Sequence, residues 1–163
     1  MIPYDNIREY VAKGLSDYLG IKIIRGNQIG QAPDRPYGTY LVTTIAGANR
    51  GTWQEHTDGK DRKLVRSIWS FSFMANEWAE SVGYAIKARE WFEHSGRVLL
   101  SEKGITVQST TEVTNRDNLL TVEYERKNGF DVVFYVYDEV ENIAEVEAIG
   151  YIERAETTRE KTN

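Results

Sequence analysis

The chain has 163 residues, and its 25 acidic residues outnumber its 20 basic residues, which gives a net charge of −5 at pH 7. It contains no cysteine, so disulfides, thiolate zinc sites and thiol nucleophiles are all excluded. The acidic balance argues against a protein that grips nucleic acid by neutralising its phosphates, although it does not exclude one that surrounds nucleic acid.

The first predicted element is an amphipathic helix over Asp5–Leu19. Asp5 is suited to the N-cap, and Gly20 is suited to the position just after the helix. A short strand is predicted next, over Ile21–Arg25. The apolar stripe of the helix follows the 3.6-residue period and consists of Ile7, Tyr10, Val11, Leu15 and Tyr18.

A strand is predicted over Tyr37–Ala46, with Pro36 at its entrance suiting either the first residue of a strand or an edge strand. The segment Gly47–Arg62 that follows is rich in glycine and mixed charges and has no periodicity. Loops of this length are uncommon in compact domains and are usually functional or disordered. Trp53 in its middle either packs back onto its own domain or anchors a partner. The candidate partner contacts in this loop are Arg50, Trp53 and His56.

Alternating residues over Lys63–Met74 predict a strong strand whose aromatic side faces a core. Asn76 is predicted to cap a helix over Trp78–His94. A short helical turn over Val98–Glu102 and a strand over Ile105–Thr111 follow. The predicted apolar stripe of the long helix consists of Trp78, Val82, Ala85, Arg89 and Phe92, broadened by Ala79, Ile86 and Ala88, whereas Tyr84 and Trp91 lie outside it.

The segment Leu119–Asp138 reads as a β-hairpin, because Asn128-Gly129 is a strong signal for a two-residue turn. The register of such a hairpin gives one core face, made of Leu120, Val122, Tyr124, Val133, Tyr135 and Tyr137. The second face combines Phe130, Val132, Phe134 and Val136 with Glu123 and Glu125, and its apolar members are candidate contacts with another subunit. A three- or five-residue turn would instead swap the faces of one strand.

These elements predict an α+β fold: a single, mostly antiparallel mixed sheet with two main helices packed on one face and a long loop between strands 2 and 3. The expected organisation is one domain over residues 1–152, with a weak last strand over Val146–Ile152 and a polar, flexible tail over residues 153–163. A neighbouring subunit is the simplest cover for the second face of the sheet.

Catalytic and metal sites are poorly supported. His56 and His94 are far apart and lack the convergent partners that a zinc site or a nucleophilic triad needs. The pair Glu123 and Glu125 stands about 7 Å apart on one strand face, within the range of glycosidase carboxylates. Exposed strand acids are nearly always solubility or interface residues, so a hydrolase is a remote alternative. No cofactor is predicted.

Several short motifs, taken in order, resemble the bacteriophage neck or tail terminator proteins. The resemblance covers roughly Ile7–Asp138, and the tail after Asp138 carries no matching motif. The motifs are Arg35–Tyr40 entering a Thr-rich strand, Ser67–Met74 leading into a helix that contains Ala88–Phe92, Gly104-Ile105 after a Leu-rich turn, Tyr124–Arg126, and Gly129–Val132.

The resemblance implies a non-enzymatic virion protein that closes into a ring, typically a hexamer, on the head-proximal end of a phage tail tube. Such a ring stops tube polymerisation, contacts the tail tube protein and the head-completion or connector proteins, and lets DNA pass through its lumen without sequence readout. It assembles in the bacterial host cytoplasm and has no membrane partner. Glu123 and Glu125 could line the lumen. The alternative is a head–tail connector or adaptor on the head side of the neck, which the sequence separates poorly from a terminator.

Overall fold

The computed structural model describes residues 1–27, 30–47, 51–120 and 123–142. Helix α1 spans Tyr4–Leu19 and ends at Gly20, whose backbone takes the left-handed conformation with φ of 70°. Ile7, Val11 and Leu15 of the predicted apolar stripe are buried, whereas its two tyrosines, Tyr10 and Tyr18, are exposed. Asp5 makes no capping hydrogen bond, since the helix begins one residue earlier, after Pro3.

The strands form one open sheet of mixed direction in the order β1-β2-β4-β8-β5. β1 runs parallel to β2, and the other pairs are antiparallel. Pro36 therefore stands at the start of β2, as one of the two predicted alternatives had it, and β2 is an internal strand and not an edge strand. The strands are β1 (Lys22–Arg25), β2 (Tyr37–Gly47), β3 (Gln54–Glu55), β4 (Lys60–Ala75), β5 (Thr106–Thr110), β6 (Thr114–Asn115), β7 (Asn118–Leu120) and β8 (Glu123–Glu141).

The centre of the sheet is the antiparallel pair β4–β8, which keeps one register from Lys60 opposite Glu141 to Ala75 opposite Arg126. Both strands are longer than the sequence predicted. β4 begins three residues early, so it takes in the last part of the predicted Gly47–Arg62 loop, and β3 pairs with that part. β8 continues through Glu141, three residues beyond the predicted end of the hairpin at Asp138.

The predicted hairpin turn at Asn128-Gly129 is wrong. Both residues lie inside β8, with Asn128 opposite Phe73 and Gly129 opposite Ser72. The antiparallel partners Leu120 and Glu123 show that the chain instead reverses between β7 and β8. The residues directly before and after Asn128-Gly129, which were predicted to form two strands, therefore belong to one continuous strand, β8.

Helices α1, α2 (Trp78–Glu93) and α3 (Ser95–Ser101) cover one face of this sheet. Phe92 of α2 contacts Phe71 at a centroid distance of 4.9 Å and Phe134 at 5.8 Å. The predicted aromatic face of β4 is confirmed as a core face, since Trp69, Phe71 and Phe73 are buried. The predicted α+β fold, with helices on one face of a mixed sheet, is confirmed.

Helix α2 buries Ala85, Ala88 and Phe92 as predicted, but the other members of the predicted stripe are not buried. Its buried residues are Ser81, Ala85, Ala88, Trp91 and Phe92, while Trp78 is exposed. Trp91 packs closely between the other two helices. A Cβ added at Gly14 of α1 would stand 3.0 Å from the Trp91 ring, and one added at Gly96 of α3 would stand only 2.3 Å from it. The prediction failed here because α2 is apolar on more than one side.

The predicted strand over Val146–Ile152 and the predicted tail over residues 153–163 lie outside the described residues.

Candidate subunit interface

The side of the sheet opposite the helices carries an apolar surface on the two central strands. Side chains alternate along a strand, so the residues of β4 that alternate with its buried Val65, Ser67 and Trp69 point to this open face. Register places Leu64 opposite Tyr137, Arg66 opposite Tyr135, and Ile68 opposite Val133. We name these six residues the open-face patch.

The members of the open-face patch are accessible to different degrees. Tyr137 is 48% exposed, and Leu64 and Arg66 are also exposed. Ile68, Val133 and Tyr135 are half-buried by their neighbours within the sheet. None of the described helices packs on this side, so apolar side chains from two adjacent strands face outward together. Clustered exposed apolar residues mark interaction sites more often than scattered ones do.

A hydrogen-bonded polar cluster closes one end of the patch. The Arg116 guanidinium donates through Nη2 to Asp131 Oδ1 at 3.0 Å and through Nη1 to Ser70 Oγ at 2.7 Å and Ser72 Oγ at 3.2 Å. The Ser70 hydroxyl in turn donates to Asp131 Oδ1 at 2.6 Å. These hydrogen bonds pair the polar side chains beside the patch with one another, so the polar cluster and the apolar part of the patch are separate surfaces.

Asn128 and Gly129 have separate structural roles in this region. The Asn128 side chain is buried on the helix side, where its amide donates to Ser81 Oγ at 2.9 Å and so ties β8 to the start of α2. Gly129 faces the other way, below Arg116. A Cβ at Gly129 would stand 2.1 Å from the carbonyl oxygen of Phe71, so only glycine fits between the strands there.

An ion-pair network lies at the opposite end of the β4–β8 pair. Arg62 donates to Glu139 Oε1 at 2.8 Å and to Asp58 Oδ2 at 2.6 Å, and Lys60 Nζ lies 3.4 Å from Glu139 Oε2. The hydrogen bond from Arg62 holds the pKa of the Glu139 carboxyl below its usual value, and it does the same for Asp58. The network fixes the projecting end of the sheet, where β3 pairs with β4.

The loop candidates lie near this projecting end. Trp53 is 44% exposed, and the Nζ atom of Lys63 lies 6.0 Å from the centre of its ring. His56 belongs to the turn before β4, where its backbone N–H donates to the backbone carbonyl of Lys60 at 2.9 Å. The third candidate, Arg50, lies outside the described residues. The contribution of these residues to a partner contact stays a prediction.

The expectation that Phe130, Val132, Phe134 and Val136 contact another subunit is wrong. All four are buried in the core of a single chain, with Phe134 0% exposed. Because Asn128-Gly129 is not a turn, the first strand of the predicted hairpin does not fold back onto these residues. The strand that pairs with them is β4, and they lie on the same helix-covered face of the sheet as its aromatic side chains. The predicted core residues Val133, Tyr135 and Tyr137 lie on the open face instead.

The predicted lumen residues occupy the β7–β8 end of the molecule. Glu125 is half-buried opposite Asn118, and Glu123 lies opposite Leu120. Burial, and then the nearby Glu125 carboxylate, raise the pKa of the Tyr37 hydroxyl. Glu125 is therefore close to the start of β2. Whether either carboxylate faces a channel stays a prediction.

Sequence reasoning missed Leu64, Arg66 and Ile68 as functional candidates. A signal for two of them was present, since Leu64 and Ile68 are apolar at the positions of β4 that alternate with its aromatic face. A strand that is apolar on both sides is usually covered on both. The six residues of the open-face patch become a set only when the β4–β8 register is known.

The described residues contain no group of three or more His, Asp or Glu side chains that could hold a metal ion. Within the same described ranges, no helix is both long and apolar enough to cross a membrane.

Comparison with known proteins identifies a family over nearly the whole chain. No curated protein matches it, and one solved structure, which aligns over 82% of this chain and 92% of its own, is 10% identical with a TM-score of 0.41. A family described as phage neck terminator protein matches residues 4–162. Members of that family are structural components of the phage neck and contact other head and tail proteins in the virion. The resemblance seen in the sequence motifs is thus confirmed, and the chain belongs to the phage neck terminator proteins.

Proposed function

We propose that this protein is the tail terminator: a subunit that closes into a ring, typically a hexamer, on the head-proximal end of a phage tail tube. The ring stops tube polymerisation and offers a joining surface to the head-completion proteins. The observation that carries this proposal is the open-face patch, because none of the described helices covers it and clustered exposed apolar side chains mark interaction sites.

Ring closure fits the asymmetry of the protomer. A ring of identical subunits uses a head-to-tail contact, so every protomer presents two different surfaces. The helices lie on one side of the sheet and the open-face patch on the other, so the two sides differ in shape and chemistry. One side of a protomer can then bind a different surface of the next copy, so the same contact repeats from subunit to subunit and does not stop at a dimer.

The net charge of −5 suits a channel through which DNA slides. Acidic side chains along a lumen repel phosphates and prevent the strong, salt-dependent binding that basic side chains produce. We assign Glu123 and Glu125 to this lining, at the end of the sheet away from Trp53. The Trp53 loop is assigned to a protein partner, since a half-exposed aromatic is a common anchor in an interface.

The test is the oligomeric state of the purified protein, alone and with the tail tube protein of the same phage, by sedimentation velocity and negative-stain imaging. Rings that cap tube ends and halt tube growth are expected. Tyr137→Glu should abolish the rings by placing a charge in the patch. Tyr18→Glu is the matched control, since Tyr18 is a similarly exposed tyrosine on α1.

A chain that stays monomeric with tube protein present would overturn the proposal. Rings that ignore the tube protein and bind the portal or an adaptor instead would identify a connector on the head side of the neck.

A further inference from the structure

Helix α2 carries an apolar row on its solvent side. Trp78, Val82, Ile86 and Glu90 recur every four residues, so they form one ridge along the helix. Trp78 is 51% exposed and Ile86 is 45% exposed, whereas Val82 is half-buried and Glu90 is exposed. We name these four residues the α2 row. They are separate from the residues with which α2 contacts the core.

Gly83 lies beside this row and has no role in the packing of its own chain. Outside its chain neighbours and the nearby backbone of α2 itself, a Cβ placed there would meet no atom of the described residues within 4 Å. Glycine inside a helix costs about 1 kcal/mol relative to alanine, so α2 retains a destabilising residue without an internal steric reason. A missing side chain does lower the surface of the helix and lets another chain approach its backbone closely.

The α2 row and the open-face patch have complementary charges. Arg66 lies within the patch, and its guanidinium makes no ion pair with any described residue. Glu90 ends the α2 row, and its carboxylate also lacks an ionic partner among the residues that the structure describes. Each surface therefore combines exposed apolar groups with one charge that has no ionic partner within the described part of the chain, and the two charges are opposite.

We propose that the α2 row of one protomer packs on the open-face patch of the next copy, with Glu90 paired to Arg66. The proposal rests on the ring function argued above and names its two contact surfaces. A sheet with helices on one face is completed by a second helix layer, and here the neighbour supplies that layer. The contact joins two different surfaces, so it repeats around a closed ring.

Charge reversal tests the pairing. Arg66→Glu and Glu90→Arg each place like charges together, so each should weaken ring assembly by about tenfold or more in the protein concentration required. The double variant restores opposite charges and should assemble within about threefold of the wild type. Glu102→Arg, an exposed reversal beyond the end of α3, is the matched control and should assemble normally.

A second experiment tests the head-to-tail geometry. Tyr137→Glu removes the patch but keeps the row, and Ile86→Glu removes the row but keeps the patch. Each variant alone should be monomeric, while an equimolar mixture should form a one-to-one dimer that grows no further. Melting curves of the monomers should match, because both side chains are about half exposed.

The outcomes separate the two proposals. Wild-type protein that forms no ring overturns the ring function and this inference together. Wild-type rings that tolerate both single reversals, or a double variant that is not restored, overturn the inference and leave the ring function standing. A mixture of Tyr137→Glu and Ile86→Glu that stays monomeric also counts against the pairing of these two surfaces.

Discussion

Arg116 lies directly over Gly129 on the open face of the sheet, with its Nη1 atom 3.0 Å from the position that a Cβ at residue 129 would take. From there the guanidinium reaches Asp131 and the two serines of β4. The Asn-Gly pair predicted a turn. In the structure, Asn128 instead donates through its side-chain amide to Ser81 in the core, and the missing side chain of Gly129 leaves room for Arg116.

Gly129→Ala is expected to destabilise the monomer by roughly 1–3 kcal/mol, because the added methyl group would press on the Phe71 carbonyl and displace Arg116. Urea unfolding measures this loss. Gly83→Ala is the matched control, and it should stabilise the monomer by about 0.5–1 kcal/mol since its Cβ meets no other atom. Equal stability of Gly129→Ala and wild type would contradict the role assigned to Gly129.

Phe134→Ala should cost about 3–5 kcal/mol, since the side chain is fully buried between Trp69 and Phe92. Tyr137→Ala, three residues along on the other face, should change monomer stability by less than about 1 kcal/mol. Denaturant titration below the assembly concentration compares the two. A small loss for Phe134→Ala would restore its predicted place on a subunit surface.

The Arg62–Glu139 bond should make stability depend on pH. The pKa of Glu139 is lower in the folded chain than its usual value of 4.5. Its contribution is therefore complete above that value and is lost as the pH falls through the lower, folded pKa. Glu139→Gln should lower the melting temperature at pH 7, and the difference from wild type should shrink in acid.

Glu141→Gln is the control for this titration. Glu141 is an exposed carboxylate on the same strand, and its substitution should have little effect at any pH. A wild-type advantage over Glu139→Gln that stays constant down to pH 3 would show that the hydrogen bond from Arg62 does not depend on the ionised carboxylate.

Trp53→Ala should leave the melting temperature nearly unchanged and weaken assembly, because almost half of the side chain is exposed and Lys63 is its one described cationic neighbour. Thermal unfolding and sedimentation velocity on the same samples separate the two effects. A large drop in melting temperature would instead place Trp53 in the fold of its own loop.

Most of the fold followed from local patterns. The 3.6-residue period located α1, the alternation of β4 identified its aromatic core face, and the strand predicted over Ile105–Thr111 is present as β5. The error at Asn128-Gly129 has a physical cause. The local preference of two residues for a turn is outweighed by the tertiary contacts that keep them in a strand. These contacts are the uninterrupted ladder with β4, the Asn128–Ser81 hydrogen bond and the cluster around Arg116.

The site was harder to predict than the fold. One false turn exchanged the faces of β8, so buried Phe134 was predicted as a contact and exposed Tyr137 as core. Helix α2 is apolar on two sides, and the sequence does not show which side meets the sheet. The pairing of Arg66 with the opposite strand is a contact between distant segments, which no local pattern contains.

The β4–β8 ladder also determines when the chain can fold. Its nearest pair, Ala75 with Arg126, closes a loop of about fifty residues, and its farthest pair, Lys60 with Glu141, closes one of about eighty. Contacts so distant in sequence form slowly. During synthesis, Trp69, Phe71 and Phe73 leave the ribosome long before Phe130 and Phe134, so this aromatic strand lacks its β8 partner until those later residues have emerged. The nascent chain is thus most prone to aggregation just before its central strand arrives.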